Sequence, residues 1–411
     1  MASISMTPLG ADFFSRYFAN LFDEKLFLRL PTLAQSFFGR PETQSYTIFS
    51  EASEDIDIDI VRGYEKLAVP IQRGMAGRVF GSTKFDVQVG QATTTSRVFP
   101  LIEQQTNIGA GQLNKRIPGE GPYEALDKSA RLRELARRGY MDILRMIIRL
   151  QEVMAFQSLT LGVQSVLNMS DTTTNIYDWR RNSGNNPSLS HGWGNAAGTP
   201  MTDIDAQADQ QLFTGKLIPN GLLLGGTAMR MFQANTQVST NFANKLYFEL
   251  LRFGPKIDVG PEFQHMIDAG AIPYGILRTP KGYDLTVFTY PRVYDSGTGT
   301  TRTSQKYFPD TGALMFSTEA RFDRYFGPAE KIDMTSVQIQ QVMERFGFNP
   351  MVPPLPQNIE QANNSIIPQQ FHVDSYENIE DKTVALRVQA APMFPTTQTD
   401  ALGYFVPGVS S

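Results

Sequence analysis

Cysteine is absent from the 411 residues, which removes disulfides, thiolate metal ligands and cysteine nucleophiles together. A reducing cytoplasm is the simpler setting for such a chain. Histidine is scarce: His191, His265 and His372 lie more than 70 residues apart. None sits in a His-Glu-x-x-His setting, so a zinc hydrolase lacks its ligands. Neither a Gly-x-Ser-x-Gly elbow nor a Gly-x-x-x-x-Gly-Lys-Ser/Thr phosphate loop occurs. Gly109-Ala110-Gly111 is only a Gly-x-Gly, with Asn114 where a third glycine would stand. No run approaches the roughly 20 apolar residues of a membrane span, and Met1 to Gly10 carry no basic region leading into an apolar one. An excess of positive charge is missing too. Lysine plus arginine number 37 against 41 acidic residues, so any contact with nucleic acid is expected to be weak, local and non-specific.

What is present is aromatic. Twenty-eight phenylalanines and 15 tyrosines accompany only 19% charged residues, a lean surface that suits either extensive partner contact or a large core. The length admits two or three domains. Phe14, Tyr17, Phe18 and Leu21 fall at helical spacing between Asp12 and Leu28, so an amphipathic helix is expected there, packed on its own core or on a neighbour. Glu54 to Val61 alternate, putting Ile56, Ile58 and Ile60 on one face of a strand. A second alternating run is Phe85, Val87 and Val89, and Gly63, Gly74, Gly77 and Gly81 lie between the two. A pair of strands flanking a long excursion is expected.

The clearest helix spans about Glu124 to Leu161, with Tyr140, Ile143, Leu144, Ile147, Leu150 and Met154 on its apolar side, Gly139 as a point of bending, and Gly162 as its stop. Ser170 to Pro200 reads as a hairpin or loop region anchored by Trp179 and Trp193. A short helix is expected over Asp203 to Phe213, capped at Thr202 or Asp203. Strands are expected at Leu222 to Leu224, Tyr283 to Tyr290, Gly312 to Phe316 and Thr383 to Val388, and a helix at Ser336 to Arg345 before the proline-rich 350–356.

Two constellations could carry chemistry. Asp55, Asp57 and Asp59 suggest a calcium loop, yet counting from Asp55 places Ile60 where glycine should be and Lys66 where the bidentate glutamate should be. A strand with a solvated acidic face is the reading. Arg131, Arg138 and Arg145 recur every seventh residue roughly opposite the apolar stripe. They form either a solvated face with pairs such as Arg131 to Glu134, or a basic stripe turned to nucleic acid or to a neighbour's acids. An enzyme with an acidic site would need Asp178 and Asp203 to converge.

The order of several segments resembles the lambda-like major capsid proteins of tailed bacteriophages. After the Ile56 to Val61 strand comes Leu67-Ala68-Val69-Pro70-Ile71-Gln72-Arg73-Gly74, similar to that family's apolar-Val-Pro followed by Arg-Gly. Phe99-Pro100-Leu101-Ile102 then leads through Ile108 to Leu113 and Gly119-Glu120 into the long helix, which ends Gln157-Ser158-Leu159-Thr160-Leu161-Gly162. Ile176-Tyr177-Asp178-Trp179, Gly192-Trp193, Asp203-Ile204, Leu222 to Gly226 and Pro309-Asp310-Thr311-Gly312 complete the series. The similarity covers about Tyr46 to Ala320; the N-terminus is longer, and the part after about Ala329 departs from the pattern.

The resemblance implies an α+β chain with the HK97-type fold. Its expected parts are an N-terminal arm with the amphipathic helix (1–45), an extended two-stranded loop (46–98), a peripheral domain with the spine helix (99–215), an axial domain (216–330) and a return to the peripheral domain with a C-terminal segment (331–411). It implies self-assembly into hexamers and pentamers of an icosahedral shell around double-stranded DNA, in the bacterial host cytoplasm. No cofactor, metal or membrane is involved. Portal, scaffold and a decoration protein are the expected further partners. Candidate inter-subunit contacts are Arg73 and Arg78 in the excursion and Ile56, Ile58 and Ile60 beside it. A tail or decoration component is the competing structural reading, and would lack the long helix.

Overall fold

The computed structural model describes residues 32–43, 45–49, 55–61, 93–117, 127–167, 174–243, 248–250, 260–296, 303–327, 371–378 and 383–407. The expected helices at 12–28 and 336–345 and the run Phe85 to Val89 lie outside these residues, as do Arg73 and Arg78. The long helix, α1, runs Lys128–Leu161 without interruption, about 51 Å at 1.5 Å per residue. Gly162 at φ 70° ends it in the left-handed conformation, where glycine carries no Cβ penalty.

Gly139 does not break α1. A Cβ there would stand 3.0 Å from Thr106 Cγ2 and 3.1 Å from Leu386 Cδ1, so the glycine permits close approach of helix and sheet. That sheet has the order β15 (His372–Asn378), β16 (Thr383–Ala390), β4 (Ile102–Gly109), all antiparallel. Leu386, Val388, Ile102 and Ile108 meet Ala136, Tyr140, Ile143, Leu144 and Ile147 of α1 in one buried cluster.

The same cluster continues onto one face of a six-stranded sheet, ordered β18 (Leu402–Phe405), β13 (Ala313–Phe316), β7 (Gly221–Leu224), β10 (Asp284–Thr289), β9 (Ile272–Arg278) and β8 (Phe248–Leu250). Leu223, Phe288, Leu314, Phe316 and Leu402 face α1's cluster. Leu222, Leu224, Leu285, Val287, Ala313, Met315 and Phe405 face the other way, onto Ile204 and Ala208 of α2 (Pro200–Gly215) and Phe232 of α3 (Gly226–Ala234). Burial on both faces explains why β7 and β13 read as unbroken apolar runs.

One expectation needs correction. The cap residue of α2 is Thr199 with Pro200 at the first turn, because proline fixes φ for a helix start; Thr202 and Asp203 lie inside the helix. Of the later strands, β15 and β16 join the sheet at β4, whereas β18 pairs with β13.

The C-terminal end of α1 is closed by the chain that follows it. After the hairpin β5 (Val163–Leu167) and β6 (Thr174–Asp178), Trp179 donates from Nε1 to Ser158 Oγ at 3.1 Å. Arg181 donates to the carbonyls of Thr160, Ser158 and Leu159 at 2.6, 3.0 and 2.8 Å, occupying acceptors that a helix end leaves open. Trp193 donates to Asp203 Oδ2 at 3.0 Å. Both tryptophans are thus buried anchors.

The close approach at Gly139 makes a testable claim. Gly139→Leu should destabilise the unassembled chain by about 1–3 kcal/mol through overpacking, despite leucine's better helix propensity, as read by chemical denaturation. A variant as stable as the parent would show that β4 and β16 can move away.

Candidate assembly surfaces

The strand that pairs with β2 (Asp55–Ile60) is β3 (Thr93–Val98), in the register Ile56↔Arg97, Ile58↔Thr95 and Ile60↔Thr93. The sequence Thr-Thr-Thr-Ser-Arg-Val has no apolar alternation to mark it as a strand, unlike the run Phe85 to Val89. The isoleucine face of β2 is occupied within the chain. Ile58 is 0% exposed and packs in a cluster with Phe99, Tyr177, Trp179, Tyr325 and Met393. Ile60 is also buried, and Ile56 is partly buried against the same cluster. Ile58 and Ile60, expected at a subunit contact, are therefore corrected to the chain's own core: an apolar strand face buries itself on the nearest apolar surface. Asp57 and Asp59 point outward and are exposed. Arg97 donates to the carbonyl of Asp178 at 3.3 Å, a further tie between this strand pair and the body.

β1 (Thr47–Phe49) precedes this pair and lies parallel to β14 (Arg324–Phe326), whose other neighbour is β17 (Pro392–Met393). The guanidinium of Arg321 sits 5.0 Å over the exposed ring of Tyr46.

The second surface is the outward side of α1. Arg138 donates to Glu134 at 2.8 Å, and Arg137 grips the same carboxylate with two bonds of 2.8 and 2.6 Å. Hydrogen bonds from these guanidiniums hold the Glu134 carboxyl well below the usual range, at about 2. Arg145 is 3.4 Å from Asp142, and Arg131 donates to the Leu113 carbonyl at 3.1 Å. Glu134, expected to pair with Arg131, is held by Arg137 at i,i+3 and Arg138 at i,i+4, spacings that helical geometry favours. Arg138 and Arg145 keep 40% and 41% of their side chains exposed. With Arg137, Met141 and Asp142 they line a shallow cavity of about 300 Å³. Met146 and Leu150 are exposed apolar residues of the same helix.

Asp178 and Asp203 are engaged separately. Asp178 accepts from the backbone N–H of Arg180 at 2.8 Å, while Asp203 takes the Trp193 indole, and burial pushes its carboxyl up. Among the described residues no group of three or more His, Asp or Glu side chains could hold a metal ion, and no helix is long and apolar enough to cross a membrane.

The family model described as phage major capsid protein E matches residues 32–403. The chain belongs to this family. It is a shell-forming capsid protein of a bacteriophage, a component of the virion, and it associates with copies of itself. The fold is HK97-like and α+β. A protein assigned as a prophage capsid protein from E. coli CFT073 superposes at a TM-score of 0.61 with 13% identity, covering 97% of this chain and 99% of that one. A phage-related protein from Bordetella bronchiseptica RB50 gives a TM-score of 0.42 at 9% identity, covering 93% and 98%. No curated protein matches in sequence. The likeness to the lambda-like family read from ordered short motifs thus stands, over a longer stretch than the motifs reached.

Glu134 gives this surface of the capsid protein a defined acid response. Its lowered carboxyl contributes stability that is present above the unfolded value of 4.5 and lost as pH falls toward about 2. Glu134→Gln should cost about 1 kcal/mol near neutrality, given the solvent screening of part-exposed arginines, with the deficit disappearing near pH 2 in acid-unfolding curves. An equal deficit at both ends of the curve would contradict it.

Proposed function

We propose that this capsid protein builds hexamers and pentamers of an icosahedral shell around double-stranded phage DNA, without catalysis and without a cofactor. The observation that carries the reading is the root of the β2 and β3 pair. Ile60 and Thr93 are paired partners, and Ile58 and Ile60 fasten β2 to the body. Residues 61–92 therefore leave and re-enter at one fixed place.

A segment of that length suits reaching over a neighbouring copy. A two-stranded projection is marginal alone and its edges need cover, both of which a neighbour supplies. Arg73 and Arg78 are assigned as its anchors, through charge-assisted hydrogen bonds to the neighbour's acidic groups. Residues 1–45 serve as the N-terminal arm. The six-stranded sheet is taken as the axial part and α1 with β4, β16 and β15 as the peripheral part.

Arg131, Arg138 and Arg145 face the particle interior or a subunit boundary in this reading, supported by the part exposure of Arg138 and Arg145. Their partial neutralisation by Glu134 and Asp142 suits a wall that contains DNA and releases it, where strong phosphate binding would hinder ejection. Assembly takes place in the bacterial host cytoplasm, with portal, scaffold and a decoration protein as further partners.

Deleting Tyr64 to Lys84 should leave a folded, soluble protein that no longer closes into shells in electron micrographs. Particles of normal size and stability from that deletion would overturn the inter-subunit role of the segment.

A further inference from the structure

The fully buried carboxylate of Glu152 lies on the apolar side of α1 in its C-terminal third, 0% exposed. Its oxygens accept the backbone N–H groups of Ala34 and Gln35 at 2.8 and 3.2 Å. The Gln35 side chain in turn donates from Nε2 to the Ile148 carbonyl at 3.0 Å, one turn earlier in α1. The segment so held is the short 3₁₀ turn Gln35–Phe37. Its neighbours are apolar: Phe37 meets Phe316 edge-on at 4.9 Å, and Phe38 meets Phe394 at 5.3 Å and Phe322 at 5.9 Å. Leu33, Ala34, Phe37 and Phe38 are all within the main core cluster. Nothing in that cluster calls for an acid; a neutral side chain would bury at far lower cost.

We propose that Glu152 is a proton-operated catch, seating residues 33–38 on α1 when it is protonated and loosening them when it ionises. The seat lies where two parts of the fold converge. Tyr290 follows β10 and Tyr307 follows β12 (Thr303–Lys306), the partner of β11 (Val293–Ser296). The Glu152 charge pushes both phenols further up, so they stay protonated and neutral over the range in which the carboxyl titrates. Arg292 ahead of β11 acts on both phenols, and Arg149 of α1 acts on Tyr307. From the side of the seated turn, His265 stacks edge-on to Phe37 at 5.7 Å, with Arg40 and Glu42 acting on it. Burial holds His265 down to about 4, so it titrates in a different window.

Burial raises the Glu152 carboxyl from 4.5 to about 7, against the backbone donors, which lower it. Where loosening of residues 33–38 admits water to the group, the carboxyl moves back toward its ordinary value. Seating therefore takes up a proton: it is strongest below 4.5, weakens as pH rises, and levels off above about 7. Over that interval the seating constant falls.

Hydrogen–deuterium exchange on the full unassembled chain tests this, reading peptides over residues 33–38 and correcting for intrinsic exchange rates. In the parent, protection should fall by about tenfold or more between roughly pH 5 and pH 8. Glu152→Gln should keep it nearly level across the same range, and His265→Asn should leave the parent's titration in place. Level protection in the parent overturns the proposal without any need for a variant. So does a Glu152→Gln chain that titrates as the parent does.

Discussion

The apolar stripe of α1 has to be covered on two sides at once, by β4 and β16 near Gly139 and by the six-stranded sheet farther along. A helix about 51 Å long cannot be buried by one small sheet, so the chain must bring a second sheet and the 33–38 turn to it. This double burial dictates the layering. The six-stranded sheet becomes apolar on both faces because α1's cluster takes one and α2 the other. It also makes the end of α1 a crowded place, where the Arg181 guanidinium replaces the next turn of helix by bonding three carbonyls. Burial pushes that guanidinium down and the nearby Asp400 charge props it up. The same aspartate accepts the backbone N–H of Asn182 at 3.0 Å, so the helix end is tied to the residues that lead into β18.

Elements with strong periodicity were legible. α1, β2, β7, β10, β13 and β16 follow from the spacing of their apolar residues, because each places a regular stripe or run against one core. β3 was not, since its threonines and serine owe their position to pairing with β2 and to no pattern of their own. The isoleucines of β2 show a second limit. Alternation says that Ile56, Ile58 and Ile60 share a face, but whether Tyr177, Trp179 and Met393 of the same chain or a neighbour's residues cover that face depends on segments more than 100 residues away. Glu152 was invisible for a similar reason: its place on the inner side of α1 is readable, but the backbone donors that hold it come from Ala34 and Gln35.

The two charged surfaces follow different rules. The outward side of α1 keeps its arginines partly in water and pairs them locally with Glu134 and Asp142, so charge there is cheap and adjustable by salt. Asp57 and Asp59 on β2 stay on the solvated face while their isoleucine neighbours go inward, which is the ordinary outcome of a pleated strand with one buried side.

The three sheets that share strands from residues 372–405 also bear on how the chain is made. β15 and β16 complete the sheet at β4, β17 closes on β14, and β18 on β13. Each pairing joins strands emerging from the ribosome at different times, and the partner of β4 is synthesised almost 300 residues after it. Non-local pairings of this kind are slow to form. A partly synthesised chain therefore carries three sheets that still lack strands, and the body closes only once residues 372–405 are in place.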